Sequence, residues 1–163
     1  MILIGIDPGL DGAIAILGAS VNPAYVHDTP TMTVMTNTGK RRRVYDIPCL
    51  AGYLEEFRGV AGVRALIENV HAMPGQGVRS MFSMGFGLGL WEGLLGGLRI
   101  PFERVAPRRW KGAMLDGQGK EKDASRFKAQ ALFPTVELHL KKHHGRADAL
   151  LIAEFGRRLH ADT

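Results

Sequence analysis

Cysteine is almost absent from this chain. Cys49 stands alone among 163 residues, which excludes a disulfide framework and a cysteine-based zinc site. Lys and Arg are missing from positions 1–39, where only Asp7, Asp11 and Asp28 carry formal charge. The chain therefore enters its first apolar run, at Ile2, with no basic segment ahead of it, and no secretory leader is expected. No internal repeat is present, and the composition excludes collagen, coiled coil and disorder. One long apolar stretch, 81–98, raises the question of a membrane span. It contains Glu92 and six glycines and has no anchoring flanks, so a buried helix is expected instead.

What is present is an ordinary globular mixture, 45% hydrophobic and 23% charged. A length of 163 residues fits one domain, since domains run to roughly 100–200 residues. The net charge is +5 and the isoelectric point lies near 9.7, which favours a polyanionic partner. The distribution says more than the total. Positions 104–146 hold eleven basic residues against four acids, and Lys40-Arg41-Arg42-Arg43 forms a second block. That concentration is read as a phosphate-binding face.

Along the chain, 2–7 reads as a buried strand ending at Pro8-Gly9, and 12–17 as its hairpin partner. A third strand is expected at 24–27, and an exposed loop or ribbon at 29–43. Asp46 and Pro48 signal a helix start, with the helix running to about Phe57. Strands follow at 63–68 and 101–105, separated by the apolar helix of 81–98. Within that helix Gly85, Gly89, Gly93 and Gly97 recur every four residues and share one ridge. Each costs up to about 1 kcal/mol of helix propensity, so the sheet or a second subunit is expected to press on them. Helices are expected at 107–115, 123–133 and 145–159, the last with Ala149, Ile152, Ala153 and Phe155 or Gly156 inward. Residues 136–140 are ambiguous by pattern.

Three acids occupy places where a core element should carry apolar residues. Asp7 ends the first strand, Glu68 ends the fourth, and Asp148 lies in the first turn of the last helix, on one face with His144. A carboxylate beside a buried surface is costly unless it is paired or bound to a metal. If the three converge, mutual repulsion raises at least one pKa, and a divalent cation relieves it. Hard carboxylate oxygens suit Mg²⁺, and two such ions can clamp the attacking and leaving oxygens of a phosphodiester. Taken singly, Asp7 could cap its turn, Glu68 could pair with an arginine, and Asp148 could complement the helix dipole.

Ile4-Gly5-Ile6-Asp7-Pro8-Gly9, Leu66-Ile67-Glu68-Asn69-Val70 and Gly145-Arg146-Ala147-Asp148-Ala149-Leu150-Leu151-Ile152-Ala153 together resemble the RuvC-type Holliday junction resolvases. Met73-Pro74-Gly75-Gln76-Gly77, the glycine helix through Trp91-Glu92-Gly93, and Pro107-Arg108-Arg109-Trp110-Lys111 resemble the phage and prophage branch. The resemblance runs in order over nearly the whole chain. It implies an α/β, RNase H-like fold: a five-stranded mixed sheet, three antiparallel strands then two parallel, flanked by helices. It also implies a homodimeric, Mg²⁺-dependent endonuclease acting on four-way DNA junctions in the cytoplasm of a bacterial or phage-infected cell, with no membrane role.

Position by position, the resemblance makes Asp7, Glu68 and Asp148 metal-holding acids. Relatives place an Asp or a His three residues before the last Asp, where this chain has Gly145. A one-residue shift makes His144 the fourth ligand, with His143 in reserve. An imidazole would make the site friendlier to Mn²⁺. Lys111 and Lys122 match lysines near the cleaved phosphate. Lys120, Arg41, Arg42, Arg43, Arg108, Arg109 and Arg126 complete the expected DNA-binding set. His71 stands where relatives often carry an aromatic that stacks on unpaired bases; its imidazole either stacks or has no such role. Trp110 is expected in the core, and Cys49 as a small buried hydrophobe. Three other readings stand beside this one. The first is an RNase H-like nuclease on hybrids or other branched nucleic acids. The second is a non-catalytic junction-binding protein. The third is a nucleotide binder, because 7–12 faintly resembles the phosphate loop of actin-like kinases, which need a second lobe.

Overall fold

In the computed structural model, which describes residues 1–18, 24–72, 74–115 and 123–161, the first strand lies at the centre of the sheet. β1 (Ile2–Asp7) pairs antiparallel with β2 (Ala13–Leu17), and β2 pairs antiparallel with β3 (Ala24–Asp28). On its other side β1 pairs parallel with β6 (Val63–Glu68), which pairs parallel with β7 (Phe102–Val105). The order is β3-β2-β1-β6-β7, three antiparallel strands followed by two parallel ones. This is the five-stranded mixed sheet of the RNase H-like fold. Residues 29–43, expected as a loop or ribbon, form a separate two-stranded ribbon, β4 (Thr31–Met35) with β5 (Arg41–Tyr45).

Strand alternation divides the core in two. Ile4, Ile6, Ala65 and Ile67 point to the layer made by α1 (Ile47–Glu55) and α2 (Val78–Gly97). Leu3 and Leu66 point the other way, to α3 (Pro107–Met114), α4 (Ala124–Leu132) and α5 (His144–Leu159). Because side chains alternate with period 2, Asp7 continues the Leu3 face and Glu68 the Leu66 face. Both acids are thus turned toward α5. The helix comes in very close: a Cβ on Gly5 would lie 2.1 Å from the Ala149 carbonyl oxygen. Residues 147–156 of α5 are buried except Asp148, so a wider apolar surface than the predicted inward stripe is covered.

α1 starts as its sequence signals, with the Asp46 carboxylate accepting the Cys49 N–H at 3.1 Å, a cap worth about 1 kcal/mol. It ends two residues short of Phe57. Cys49 sits in that first turn and is half-exposed, not the buried hydrophobe expected. α2 begins three residues earlier than its apolar run because Gly77 caps it. Gly87, Leu88, Trp91 and Leu95 face inward. A Cβ on Gly85, Gly89, Gly93 or Gly97 meets nothing within 4 Å, so the sheet does not press on that ridge. Gly87 is the glycine of this helix that close packing requires: its Cβ would fall 2.2 Å from the Tyr45 hydroxyl. Residues 136–140 adopt no regular element, and a short 3₁₀ turn (Lys141–His143) leads into α5. Among the described residues no helix is long and apolar enough to cross a membrane. The expected helix break at 116–119, together with Met73, Lys120 and Lys122, lies outside the described residues.

Candidate active site

Asp7 and Glu68 stand at the C-terminal ends of adjacent parallel strands, and Asp148 is carried over them by the start of α5. The turn after β1 closes through the Gly12 N–H donating to the Gly9 carbonyl at 3.0 Å. The Gly9 N–H reaches the Asp7 Oδ1 at 3.4 Å. Burial pushes the Asp7 pKa up from 3.8 to about 7, and the negative charges of Glu68 and Asp148 add to the shift. Burial also raises the pKa of Glu68, with Asp148 as the second cause. Asp148 is raised by burial, while Lys111, a Ser125 hydrogen bond and His144 work against the shift. Three carboxyl groups from three elements thus share one partly dry electrostatic space.

Two neighbouring side chains reach into that space. Trp110, fully buried as expected, donates from Nε1 to Glu68 Oε1 at 3.0 Å. From sequence alone its expected role is packing. Its place one residue before Lys111 in the Pro-Arg-Arg-Trp-Lys motif is the signal that could have suggested more. Lys111 puts its Nζ 3.8 Å from Asp148 Oδ2, a built-in cation that offsets part of the acid charge. A third contact had no sequence signal: Tyr45 donates from its hydroxyl to the Pro8 carbonyl at 3.0 Å, fixing the turn next to Asp7.

The two histidines part company. His143 is 2% exposed, and its Nδ1 accepts the Leu140 N–H at 3.4 Å. Burial and the Arg146 charge lower its pKa, and it sits with Arg146, Asp28 and Glu137 instead of the acids. His144 lies 3.5 Å from Asp123 Oδ1 and is close enough to Asp148 to lower that acid's pKa. Gly145 has a steric reason to be glycine. A Cβ there would come 2.3 Å from the Asp11 carbonyl oxygen, because the first turn of α5 rests on the Asp11–Gly12 backbone. No side chain fits at 145, and any ligand from this turn must come from a neighbour.

The donor set fits a hard divalent cation. Three partly buried carboxylates with raised proton affinity, plus one imidazole, have only Lys111, among the described residues, to offset the charge they would carry if all of them ionised together. Asp7, Glu68 and Asp148 would hold it. Among the described residues no three Asp, Glu, His or Cys side chains close on a common ligand distance. The acids are therefore within electrostatic reach of one another without being drawn onto one point.

The basic residues are not one surface. Arg41, Arg42 and Arg43 are exposed on β5, and Arg43 pairs with Asp11 in the turn beside the acids. His71 and Arg108 are exposed. Arg109 lays its guanidinium 5.5 Å from the Phe155 ring centroid, seven residues along α5 from Asp148, which is about 10 Å. Arg126 is engaged inside the chain, with Asp123 at 3.3 Å and the carbonyls of Leu138 and His139. It pins the irregular 136–140 segment. Arg109 is itself exposed, whereas the Arg126 side chain is mostly covered.

No protein-family model matches the chain. A curated relative, the chloroplastic Holliday junction resolvase MOC1 of Chlamydomonas reinhardtii, is 43% identical over 100 residues, 60% of this chain. The chain spans 11% of that protein's length. Among solved structures, Thermus thermophilus RuvC superposes with a TM-score of 0.59 at 17% identity, covering 98% of this chain and 96% of that one. T. thermophilus RuvC in complex with a Holliday junction substrate gives 0.60 at 16% identity, with the same coverage. The fold is therefore that of RuvC.

Proposed function

We propose that the chain is a structure-selective DNA endonuclease that resolves four-way junctions by Mg²⁺-dependent hydrolysis of phosphodiester bonds. The observation that carries this reading is the convergence of Asp7, Glu68 and Asp148, from two strand ends and a helix start, on one face with Lys111. The 43% identity to a named junction resolvase and the likeness to a junction-bound RuvC support the substrate class. A phage or prophage lineage rests on the 73–93 and 107–111 segments alone.

When bound, divalent ions would supply charge neutralisation of the phosphate and activation of the attacking water. The chain's own residues prepare for this. Asp7 and Glu68 stand at the ends of paired strands, which holds their backbone positions side by side. Trp110 orients the Glu68 carboxylate, and Tyr45 with Gly87 fixes the turn that carries Asp7. Lys111 can pass from Asp148 to a substrate phosphate oxygen. His144 is the imidazole positioned to add to Asp148, while His143 is occupied at the helix start. Arg41 and Arg42, with His71 and Arg108, extend the phosphate-binding surface from the acids, and Lys120 and Lys122 belong to the same proposal.

Two symmetric nicks require two sites in twofold relation, which a homodimer supplies. The open ridge of Gly89, Gly93 and Gly97 on α2 gives a second copy room to bring a helix close. A labelled four-way junction and a duplex of equal length, each incubated with Mg²⁺, Mn²⁺ or EDTA, test the proposal. Paired nicks on the junction alone, dependent on metal, are expected. Tight junction binding without cleavage in either metal would favour the non-catalytic reading instead.

A further inference from the structure

α4 packs against α5, and its first turn meets the acid site twice. The Ser125 hydroxyl donates to the Asp148 carboxylate, and Asp123 Oδ1 lies 3.5 Å from His144 Nε2. Asp123 stands directly before α4, where a carboxylate ordinarily accepts an N–H of the helix's own first turn. Its side chain makes no such cap. Instead Arg126 Nε holds Oδ1 at 3.3 Å, and the Arg126 guanidinium is itself anchored on the carbonyls of Leu138 and His139. The acid thus leaves its own helix uncapped and is fixed facing an imidazole on the next one.

We infer that Asp123 is a positioning residue for the metal site, accepting the Nε2–H of His144 and so presenting Nδ1 to the cation that Asp148 holds. The inference rests on the metal-dependent nuclease reading above. Proton counting sets the direction. A neutral imidazole has one N–H and one lone pair, and an ionised carboxylate can only accept. The nitrogen facing Asp123 therefore carries the hydrogen, and the lone pair is left on Nδ1. His144 and Asp148 are four residues apart on α5, which makes them neighbours on one helix face. A histidine that ligates a metal commonly donates its other ring N–H to a carboxylate, which fixes the tautomer, holds the ring and makes the ligating nitrogen more basic. Asp123 acts in this way through His144 and does not itself touch the cation. The competing account, that Asp123 serves only its ion pair with Arg126 within α4, leaves both the missing cap and the His144 contact unexplained.

The test measures Mn²⁺ affinity without DNA, from the electron paramagnetic resonance signal of the free ion, in wild type, Asp123→Ala, Asp123→Asn, His144→Ala and Asp123→Ala/His144→Ala. Asp123→Ala should weaken binding about tenfold or more, the usual cost of losing such a partner, with a circular dichroism spectrum like that of the wild type. Asp123→Asn removes the same charge but keeps an oxygen able to accept the N–H, so it should recover part of the loss. In the His144→Ala background Asp123→Ala should cost nothing further, because a residue acting through the imidazole has nothing left to position. An equal loss in that background overturns the inference, since it marks a plain charge effect on the cation. Unchanged affinity in Asp123→Ala, Asp123→Asn no better than Asp123→Ala, or no Mn²⁺ bound by the wild type overturns it as well. If the cycle behaves as expected while neither Mg²⁺ nor Mn²⁺ supports cleavage of a four-way junction, the nuclease reading fails and the positioning role stands.

Discussion

Asp7→Asn tests the site through stability as well as through activity. The substitution keeps the shape of the side chain and removes its charge. In the folded protein burial and the charges of Glu68 and Asp148 hold the Asp7 pKa near 7, against 3.8 for the free group. A carboxyl with a raised folded-state pKa contributes stability that is fully present below the unfolded value. That contribution is lost as pH rises through the folded value. The interval is roughly three units, and at 1.36 kcal/mol per unit the ceiling is about 4 kcal/mol. For a chain of this size that is a shift of roughly 10 °C in Tm. Thermal melts in EDTA should therefore show the variant more stable than wild type at pH 8, with the gap closing toward pH 4. Saturating Mg²⁺ should raise the wild-type Tm, because a ligand bound only by the native state stabilises it by mass action. The variant's Tm should barely move. Cleavage should vanish while junction binding persists. Parallel pH profiles for the two proteins would refute the shared-acid reasoning, and cleavage at near wild-type rate would remove Asp7 from the chemistry.

Gly145→Ala should destabilise the fold by about 1–3 kcal/mol, since the added methyl meets rigid backbone at Asp11; Gly112→Ala, with open space around it, should be neutral or stabilising by up to about 1 kcal/mol in chemical denaturation. Tyr45→Phe removes the hydroxyl held by Pro8. It should cost about 1 kcal/mol and slow single-turnover cleavage with the junction Kd unchanged; a weakened Kd with normal cleavage would contradict the positioning role. Replacing Arg41, Arg42 and Arg43 together with Ala should weaken binding and flatten its dependence on salt, because fewer counterions are released. Gly89→Leu should give a folded monomer in sedimentation velocity, impaired in paired nicking, whereas a wild-type monomer at micromolar concentration that still makes paired nicks would exclude the dimer.

That the acids end their strands was legible in the sequence, whereas the face they share was not. Alternation puts Asp7 with Leu3 and Glu68 with Leu66, and only the parallel register of β1 with β6, which sets Gly5 opposite Leu66, brings the two sides together. The close approach of α5 was hidden, since nothing in Gly5 or Gly145 says which backbone will lie against it. The glycines of α2 show the same limit from the other direction. Their spacing announced a ridge that something should press, yet Gly87, outside the regular series, is the one against Tyr45 and Pro8. A period reveals which residues share a face and not what meets it. Charge was legible as a total and not in the intramolecular contacts each group makes. Arg126 and Arg109 belong to the basic stretch by composition, but one is consumed by Asp123 and two carbonyls and the other covers Phe155. A guanidinium carries five donors on a long apolar stem, so it can serve packing and backbone satisfaction as readily as phosphate. Only contacts between distant segments decide which use each arginine has.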